Sequence, residues 1–401
     1  MKAISGGITA PRGFLAAGIH AGIKASPDLD LALVVSERAG PVAGVFTTNR
    51  VAAAPVVVDR EHLRRKIGRA IIINSGNANA CTGNRGLANA RDMARLVARL
   101  IGARPHSVFV GSTGVIGVPL PMPHIRRGIL TLVRRLASKG AREAARAILT
   151  TDTKRKEIAL SARIGGRTIT VGGMAKGSGM IHPDLATMLA YLTTDAAIEQ
   201  VALQRALRMS VQASFNGISV DGDTSTNDTV LCLANGLAKN TRLRAGTRQL
   251  AEFQRVLDRA CQSLAMQICQ DGEGVTKVVE LDVRGARTCA EASQVARTVA
   301  TSNLVKTALF GEDANWGRIV AAIGRSGVRV DPSSIGLAFG GVAIMRNGVG
   351  LGHSVEKRIR RIMKRREFTI TINLGQGLAS RRMWTTDLTD EYVRINASYR
   401  S

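Results

Sequence analysis

Over the first 80 residues, short apolar runs bounded by proline, glycine and aspartate alternate with polar stretches, a pattern typical of β-strands. The run Ala70–Asn74 (AIIIN) leads into a loop rich in glycine and asparagine, so it predicts a buried strand. Directly after this loop, the pattern predicts an amphipathic helix over about Leu87–Leu100. Further strands are predicted at Leu31–Ser36, Val42–Thr47 and Ala54–Val58.

The same arrangement of strand and glycine loop recurs twice. Ser107–Val110 predicts a strand before a tight loop at Gly111–Gly117, and helices are expected within Met122–Ile148. Ile169–Val171 predicts a strand before a third glycine loop, Gly172–Gly179. Helices are also predicted at Glu199–Ala213 and Leu243–Gln267, and strands at Thr276–Val283 and Phe368–Leu374. The whole pattern indicates a mixed α/β fold.

Composition narrows the class of protein. The chain has 401 residues, which suits two or three domains or one large domain with elaborations. Because 45% of the residues are hydrophobic, a disordered protein is excluded. The chain contains no run of about 18 apolar residues, so no membrane-spanning helix is predicted. Pro11 and Arg12 interrupt the N-terminal apolar stretch before the core of a signal peptide forms. We therefore expect a cytoplasmic protein without a membrane partner.

The net charge of +26, from 56 basic and 30 acidic residues, raises the question of nucleic-acid binding. Most basic residues, however, are scattered singly over predicted helices. The two concentrations, His124–Arg135 and Lys357–Arg366, interleave apolar residues as solvated faces of ordinary elements do. With only 3% aromatic residues, the chain has no obvious platform for stacking bases. We expect no nucleic-acid partner, and an acidic substrate or a basic proteome accounts for the charge.

No metal site is expected from the sequence. The five cysteines form no CxxC pair, and the six histidines form no HxH or HExxH motif. The acidic loop Asp221–Asp228 (DGDTSTND) fails the EF-hand pattern, because Thr226 stands where glycine is required and Cys232 where a glutamate belongs. This loop is either a polar part of an active site or a plain turn.

The segment Met174–Ala190 (MAKGSGMIHPDLATMLA) contains a candidate nucleophile. In one interpretation Thr187 caps the start of a helix. In the other, its hydroxyl is a nucleophile whose base is its own α-amino group, freed when the peptide bond after Ala186 is cut. The small Ala186 and the glycine loops nearby favour attack by the hydroxyl on that bond. Both interpretations stay open on these residues alone.

Two glycine turns offer partners for such a nucleophile. The turn Gly111–Gly114 (GSTG) follows a predicted strand, where converging backbone N–H groups form an oxyanion hole in some enzymes and a simple turn in most proteins. The turn Asp271–Gly274 (DGEG) places two carboxylates after a predicted helix. They are either exposed turn residues, or carboxylates that hold an ammonium group or orient the catalytic amine.

Together these segments resemble the ornithine acetyltransferase family, also called the bifunctional glutamate N-acetyltransferases, of arginine biosynthesis. KGSGMIHPDLATML resembles the cleavage and nucleophile motif of that family. Nine further segments occur in the order of the family and span nearly the whole chain. They are ITAPRGFLAAGIHAGIK, FTTNRVAAAPV, IIINSGNANACTG, GSTGVIG, ILTTDT, FNGISVDGDTSTNDTV, DGEGVTK, FGEDANWGRI and EYVRINASYRS.

The resemblance implies roles for individual residues. It implies cleavage between Ala186 and Thr187, with Thr187 as the nucleophile and Thr113 and Gly114 as the oxyanion hole. The implied substrate-binding residues are Thr150, Lys176, Thr187, Glu273, Asn396 and Ser401, with Thr151 and Thr153 as alternatives to Thr150.

This chain departs from the family pattern at two implied functional segments. Asp184 follows Pro183 where the family more often has asparagine, and this added charge is expected to alter the cleavage rate. Ser401 replaces a more usual threonine but keeps the hydroxyl group.

The reaction implied is the transfer of an acetyl group from N2-acetyl-L-ornithine to L-glutamate, in a ping-pong cycle through acetyl-Thr187. No cofactor is implied. Acetyl-CoA is a co-substrate of the bifunctional members only, and the ornithine-only members share the same motifs, so this second donor stays open. A related self-processing N-terminal-nucleophile amidase or aminopeptidase is the alternative function.

The implied fold is α/β (α+β), a layered αββα-like sandwich with a smaller C-terminal α/β domain at roughly 280–401. Self-cleavage would divide the chain into an α chain, 1–186, and a β chain, 187–401. The two fragments are expected to stay associated as a heterotetramer of two α and two β chains.

Overall fold

A computed structural model of the protein describes residues 1–182 and 188–398. The predicted site residues Ala186, Thr187 and Ser401, and the departure at Asp184, lie outside these ranges. Among the described residues, no helix combines the length and the apolar character that a membrane crossing needs.

The described strands form two sheets. They are β1 (Lys2–Ala3), β2 (Phe14–Ile19), β3 (Leu31–Phe46), β4 (Ile67–Asn77), β5 (Val108–Val115), β6 (Lys156–Ile164), β7 (Arg167–Lys176), β8 (Leu189–Thr194), β9 (Thr229–Ala234), β10 (Val278–Ala286), β11 (Gly336–Phe339), β12 (Val342–Arg346), β13 (Val349–Gly350), β14 (Glu367–Asn373) and β15 (Ala379–Thr386).

The described α-helices alternate with these strands along the chain. They are α1 (Ala54–Leu63), α2 (Gly83–Leu100), α3 (Met122–Arg135), α4 (Ala141–Ala147), α5 (Gln200–Ala213), α6 (Arg248–Gln270), α7 (Cys289–Ala300), α8 (Asn303–Phe310), α9 (Trp316–Gly324), α10 (His353–Met363) and α11 (Asp390–Ser398).

The larger sheet has nine strands in the order β1-β6-β7-β8-β9-β3-β4-β5, with β2 paired to β3. Strand β3 belongs to two halves of this sheet, because its pairing register with β4 shifts between Val35 and Gly40. Its first part pairs with β2 and β4, and its second part pairs with β9. The sheet is thereby divided into two leaves that share one long strand.

The two leaves pack face to face. Phe109 of one leaf and Tyr191 of the other belong to the same buried core between them. Helices α2 and α3 pack on the outer face of the β2–β5 leaf, and α5 and α6 pack on the outer face of the other. These four layers confirm the predicted αββα-like sandwich.

The smaller sheet follows in the order β13-β12-β11-β14-β10-β15. Its strand β10 lies parallel to β14 and antiparallel to β15. Residues of α7, α8, α9 and α10 share its hydrophobic core. Strand β15 also contacts the larger sandwich, since its Trp384 forms a β-bridge with Ile218.

Most predicted elements are confirmed, but the strand predicted at Ala54–Val58 is wrong. These residues open the helix α1, with Pro55 in its first turn. Proline is favoured there, because its missing N–H would have no partner in the first turn and its φ angle suits a helix. Ala54, Val56 and Val58 are buried, so packing outweighs the β-propensity of the valines.

Two of the predicted glycine loops are wrong in part, because the strands continue into them. Strand β5 runs through Gly111 to Val115, and β7 runs through Gly172 to Lys176. Close approach explains these glycines, since a Cβ on Gly111 would lie 2.0 Å from the Tyr191 hydroxyl and one on Gly172 would lie 2.2 Å from the Gly7 carbonyl oxygen. In both strands the glycines serve packing within the sandwich rather than a turn.

Candidate active site

A cavity of about 160 Å³, open to solvent, brings together residues from distant parts of the chain. Six of the predicted site residues line the cavity: Thr113, Gly114, Thr150, Lys176, Glu273 and Asn396.

The predicted oxyanion residues lie at the carboxyl end of β5, where this strand runs parallel to β4. Thr113 is buried. Gly114 has a φ of +130°, and a Cβ there would lie 2.3 Å from the carbonyl carbon of Gly76. Only glycine fits this combination of backbone conformation and close contact. The chain thus presents consecutive hydroxyl and backbone groups to the cavity without an intervening side chain.

Lys176 ends β7 and is buried at the cavity wall. Its ammonium nitrogen Nζ donates to the hydroxyl oxygen of Thr150 at 2.8 Å and to that of Thr113 at 3.2 Å. Burial lowers the pKa of Lys176, although the nearby Asp152 carboxylate opposes this shift. Lys176 therefore joins the predicted oxyanion residue to the predicted substrate-binding threonine.

Asp152 is a site residue that the sequence analysis missed. Its side chain is fully buried, and its Oδ1 accepts hydrogen bonds from the Lys156 ammonium and the Gly177 N–H, each at 2.6 Å. Burial alone would raise the pKa of Asp152, but Lys176 and Lys156 together lower it to about 2. Lys156 also pairs with Asp271 at 2.6 Å. A buried chain of alternating charges thus supports Lys176 from behind.

The three alternative threonines occupy different environments. Thr150 and Thr151 line the cavity, and the Thr151 hydroxyl lies 2.7 Å from that of Ser178. Thr153 instead donates both its N–H and its hydroxyl to Asp271. The side chain of Thr153 therefore serves the buried charges behind Lys176 and not the cavity.

Glu273 and Asn396 form another part of the wall. The Asn396 side-chain amide donates to Oε2 of Glu273 at 2.9 Å, which anchors α11 over the cavity. The Glu273 N–H donates to the Ser178 carbonyl at 3.0 Å. A Cβ on Gly179 would lie only 2.5 Å from Oε2, so a glycine at 179 gives the carboxylate its space.

The acidic loop 221–228 belongs to the cavity wall, which favours the first of its two interpretations. Asp221 accepts hydrogen bonds from the N–H groups of Met180 and Ile181, at 2.5 and 2.8 Å, and from the Tyr392 hydroxyl at 3.3 Å. Burial raises its pKa to about 6. Asn227 donates to the Ser112 carbonyl at 2.8 Å, so this loop also supports the oxyanion strand.

The described residues beside Thr187 exclude its interpretation as a helix cap. Met188 donates its N–H to Oδ1 of Asp228 at 2.8 Å, and Leu189 begins the strand β8. A strand, not a helix, therefore follows the predicted nucleophile. The parallel pairing of Leu189 with Thr229 places the start of β8 beside the loop 221–228.

Comparison with known proteins identifies the family. The sequence profile of the ArgJ family matches residues 15–401. The chain belongs to the ArgJ family. The "Arginine biosynthesis bifunctional protein ArgJ" of Symbiobacterium thermophilum is 49% identical over 403 residues, covering all of both chains. Its namesake from Geobacter sulfurreducens is 49% identical over 390 residues, covering 97% of this chain and 99% of that protein.

Two solved ArgJ-type structures match as well. A crystal structure of the arginine biosynthesis bifunctional protein ArgJ from Bacillus halodurans is 45% identical, with a TM-score of 0.51, and covers 53% of this chain and 100% of that chain. The ornithine acetyltransferase of Mycobacterium tuberculosis, solved with ornithine, is 43% identical, with a TM-score of 0.42, and covers 46% and 99%. Membership of the ArgJ family confirms the resemblance found in the sequence.

Proposed function

We propose that this ArgJ chain carries an acetyl group from N2-acetyl-L-ornithine to L-glutamate on the hydroxyl of Thr187. As a member of the ArgJ family, the chain is an acyltransferase of arginine biosynthesis. The observation that carries the residue assignments is the single cavity in which Thr113, Gly114, Lys176 and Glu273 meet. It supplies hydrogen-bond donors for an oxyanion on one part of its wall and a carboxylate for a cationic substrate on another.

The nucleophile is prepared by self-cleavage. The Thr187 hydroxyl attacks the carbonyl of Ala186, the peptide nitrogen leaves as an amine, and water then hydrolyses the resulting ester. This sequence restores the hydroxyl and leaves a free α-amine on Thr187. The Bacillus halodurans chain supports it, because the whole of that chain matches just over half of this one. A fragment that begins at Thr187 would also make up just over half of the chain.

Acetyl transfer then uses the free hydroxyl and α-amine of Thr187. The Thr187 oxygen attacks the acetyl carbonyl while its own α-amine, with an ordinary pKa near 8, accepts the hydroxyl proton. The Thr113 hydroxyl and the Gly114 N–H donate to the oxyanion. Collapse of this intermediate expels ornithine, whose departing nitrogen takes the proton from the α-ammonium. The amine of glutamate attacks the acetyl ester in the reverse manner and leaves as N-acetylglutamate.

Charges on the cavity wall orient the two substrates. Glu273 faces the side-chain ammonium of acetylornithine, and Asn396 holds the Glu273 carboxylate in place. Lys176 and Thr150 supply donors for a substrate carboxylate, as does Ser401. The Asp152 carboxylate lies behind Lys176, with its Oδ2 at 4.0 Å from the ammonium nitrogen. Its negative charge holds this ammonium in position at the cavity wall.

The proposal extends to the second donor and to the assembly. Relatives between 44% and 49% identical are named bifunctional proteins, so we include acetyl-CoA as an alternative acetyl donor, without a bound cofactor. We also propose a cytoplasmic enzyme in which two copies of each fragment form a heterotetramer. Light scattering of the purified, cleaved protein measures the size of this assembly.

Intact-mass spectrometry of wild type beside Thr187→Ala tests the proposal. We expect two wild-type fragments whose masses add up to that of the 42.5 kDa chain plus one water, and one uncut chain in the variant. Acetylornithine and glutamate should then yield ornithine and N-acetylglutamate in equal amounts. An uncut wild type contradicts the assignment of Thr187. Release of free acetate without glutamate acetylation favours the alternative amidase.

A further inference from the structure

Lys24 is a half-buried lysine to which the proposed mechanism gives no role. It lies in the segment that joins β2 to β3. Its side-chain nitrogen Nζ donates to the carbonyl oxygen of Leu149 at 2.7 Å and to that of Leu29 at 3.0 Å. Leu149 directly precedes Thr150, the proposed ligand of a substrate carboxylate. Lys24 therefore bonds the backbone next to a substrate-binding residue.

Thr150 stands in the irregular segment that joins α4 to β6. Because neither a helix nor a sheet fixes this backbone, other hydrogen bonds must hold it. Both polar groups of the peptide bond between Leu149 and Thr150 have partners. Lys24 bonds the carbonyl oxygen, and the Asp152 carboxylate accepts the Thr150 N–H at 3.1 Å. These two contacts fix the orientation of the peptide group that carries the Thr150 side chain.

Asp30 holds the backbone that carries Lys24. Its carboxylate is fully buried and accepts the N–H groups of the four consecutive residues 21–24, at 2.6–3.1 Å. Asp30 is itself tied to the larger sheet, since the Ser75 N–H donates to its carbonyl oxygen at 2.9 Å. Lys24 therefore extends from a fixed backbone position, although it lies between two strands.

The stem of Lys24 contacts the backbone beside the oxyanion residues. A Cβ on Gly76 would lie 2.9 Å from Cγ of Lys24, so the stem packs directly on this glycine. Gly76 pairs with Gly114 in the ladder between β4 and β5. The side chain of Lys24 thus packs beside one part of the cavity wall and bonds the segment that forms another.

We propose that Lys24 is a positioning residue that holds the Thr150 hydroxyl where, together with Lys176, it binds a substrate carboxylate. The inference rests on the proposed function, since it acts through the role of Thr150. The Thr150 oxygen accepts from Lys176 at 2.8 Å, which leaves the Thr150 hydroxyl proton for donation to the substrate. Burial lowers the pKa of Lys24. A neutral amine still carries N–H groups for both carbonyls, so this role does not depend on the charge of Lys24.

Lys24→Met removes the amine and keeps an unbranched stem of similar length. We expect the KM values for acetylornithine and for glutamate each to rise about ten-fold, because both substrates carry an α-carboxylate and the residue that binds it is no longer held in place. Lys24 touches no reacting atom, so kcat should stay within about three-fold of wild type. Steady-state kinetics on full-length protein that has cleaved itself, as followed by mass spectrometry, measure both parameters.

Arg381 on β15 provides a matched control. It is also half-buried, and its guanidinium donates to two backbone carbonyl oxygens, that of Gln212 at 2.7 Å and that of Asn216 at 3.3 Å. These contacts join β15 to the end of α5 rather than to the segment of Thr150. Arg381→Met should lower the melting temperature, as Lys24→Met does, and leave both KM values unchanged.

A double-mutant cycle with Thr150→Ala tests whether Lys24 acts through Thr150. Once the hydroxyl is absent, the loss of Lys24 has little left to misplace. Lys24→Met should therefore raise the KM values about ten-fold in the wild-type background and less than about two-fold in the Thr150→Ala background. Two independent structural effects would instead multiply.

Unchanged KM values in Lys24→Met overturn the inference, as do equal rises in Arg381→Met or equal rises in both backgrounds of the cycle. If Lys24→Met gives no folded, cleaved protein, Lys24→Gln decides the question. Its side-chain nitrogen ends one atom short of that of lysine, so the KM values should rise at least about three-fold, and wild-type values overturn the inference.

Two further outcomes separate this inference from the proposed function. A raised KM in Thr150→Ala beside a normal one in Lys24→Met overturns the inference alone. Wild-type KM values in Thr150→Ala contradict the proposed role of Thr150 and overturn the inference with it. Wild-type protein that transfers no acetyl group contradicts the proposed function as a whole.

Discussion

The ammonium nitrogen of Lys176 lies 3.2 Å from the hydroxyl oxygen of Thr113. An ammonium group donates hydrogen bonds and accepts none, so the Thr113 oxygen is the acceptor in this contact. The hydroxyl proton of Thr113 is thereby left available for donation to a group in the cavity. A donor polarised by a neighbouring cation suits the stabilisation of a developing oxyanion.

Thr113→Val should lower kcat by about 10²–10³, the usual loss when one oxyanion donor is removed. Valine keeps the branched shape of threonine, so the KM for acetylornithine should change little. Steady-state kinetics with both substrates measure the effects on kcat and on KM separately. Thr113→Ser keeps the hydroxyl and should retain most of the activity. Equal kcat values in the valine variant and wild type would exclude Thr113 as a donor.

Gly114→Ala should lose both activity and stability, because the new Cβ would lie 2.3 Å from the Gly76 carbonyl carbon. Gly117 is a matched control, since its φ of +84° is also positive and open space surrounds it. Gly117→Ala should cost only the backbone strain of a left-handed alanine, about 1–2 kcal/mol. Thermal melting and kcat of both variants test the contrast. Similar melting temperatures would contradict the close contact at Gly114.

Asp152→Asn should destabilise the protein at pH 7 by about 3–5 kcal/mol, because Lys176 loses its buried counter-charge and Lys156 keeps only Asp271. The pKa of Asp152 is lowered from 3.8 to about 2 in the folded protein. Its stabilisation is therefore present above about pH 4 and is lost as the pH falls towards 2. The difference in unfolding free energy between the two proteins should shrink over that interval.

Urea unfolding at several pH values from 2 to 7 measures this dependence. Asp92→Asn is the control, since Asp92 pairs with Arg126 on the exposed surface at 2.8 Å. Its loss should cost less than about 1 kcal/mol. A difference between wild type and Asp152→Asn that stays constant down to pH 2 would show that charge at Asp152 does not stabilise the fold.

Glu273→Gln should raise the KM for acetylornithine about ten-fold or more, because the amide cannot balance the side-chain ammonium of this substrate. Glutamine still offers an oxygen to Asn396, so the position of α11 should be preserved. N-acetylnorvaline, which has the same number of carbons but no ammonium, provides the matched substrate. Its KM should be similar in variant and wild type. A parallel rise for both donors would assign Glu273 a purely structural role.

Local patterns in the sequence were enough to predict most helices and strands. The apolar run Ala70–Asn74 and the amphipathic pattern of Leu87–Leu100 lie within β4 and α2. The valines of Ala54–Val58 gave a wrong strand, because contacts with the rest of the sandwich, absent from a local pattern, favour the helix. The strand extensions through Gly111 and Gly172 were missed for the same reason.

In the candidate site too, some residues could be predicted from the sequence and others could not. Thr113, Lys176 and Glu273 stand in segments that resemble the family, and the structure places all three in one cavity. Asp152 and Asp228 carry no local signal of their own. The partners that define them are distant in sequence, such as Lys176 for Asp152 and Met188 for Asp228. Spacing along the chain cannot reveal contacts that only the paired strands create.

The strand order of the larger sheet determines how many molecules must meet for the protein to fold. Strands β8 and β9, which follow the proposed cut, lie between β7 and β3, which precede it. Breaking the bond before Thr187 therefore leaves the backbone ladders on both sides of this pair intact. Before the cut, the two halves meet at the high effective concentration of a single chain, and folding is independent of dilution. After the cut, refolding requires a second-order encounter of two separate chains. The enzyme therefore folds as one chain and acts as two.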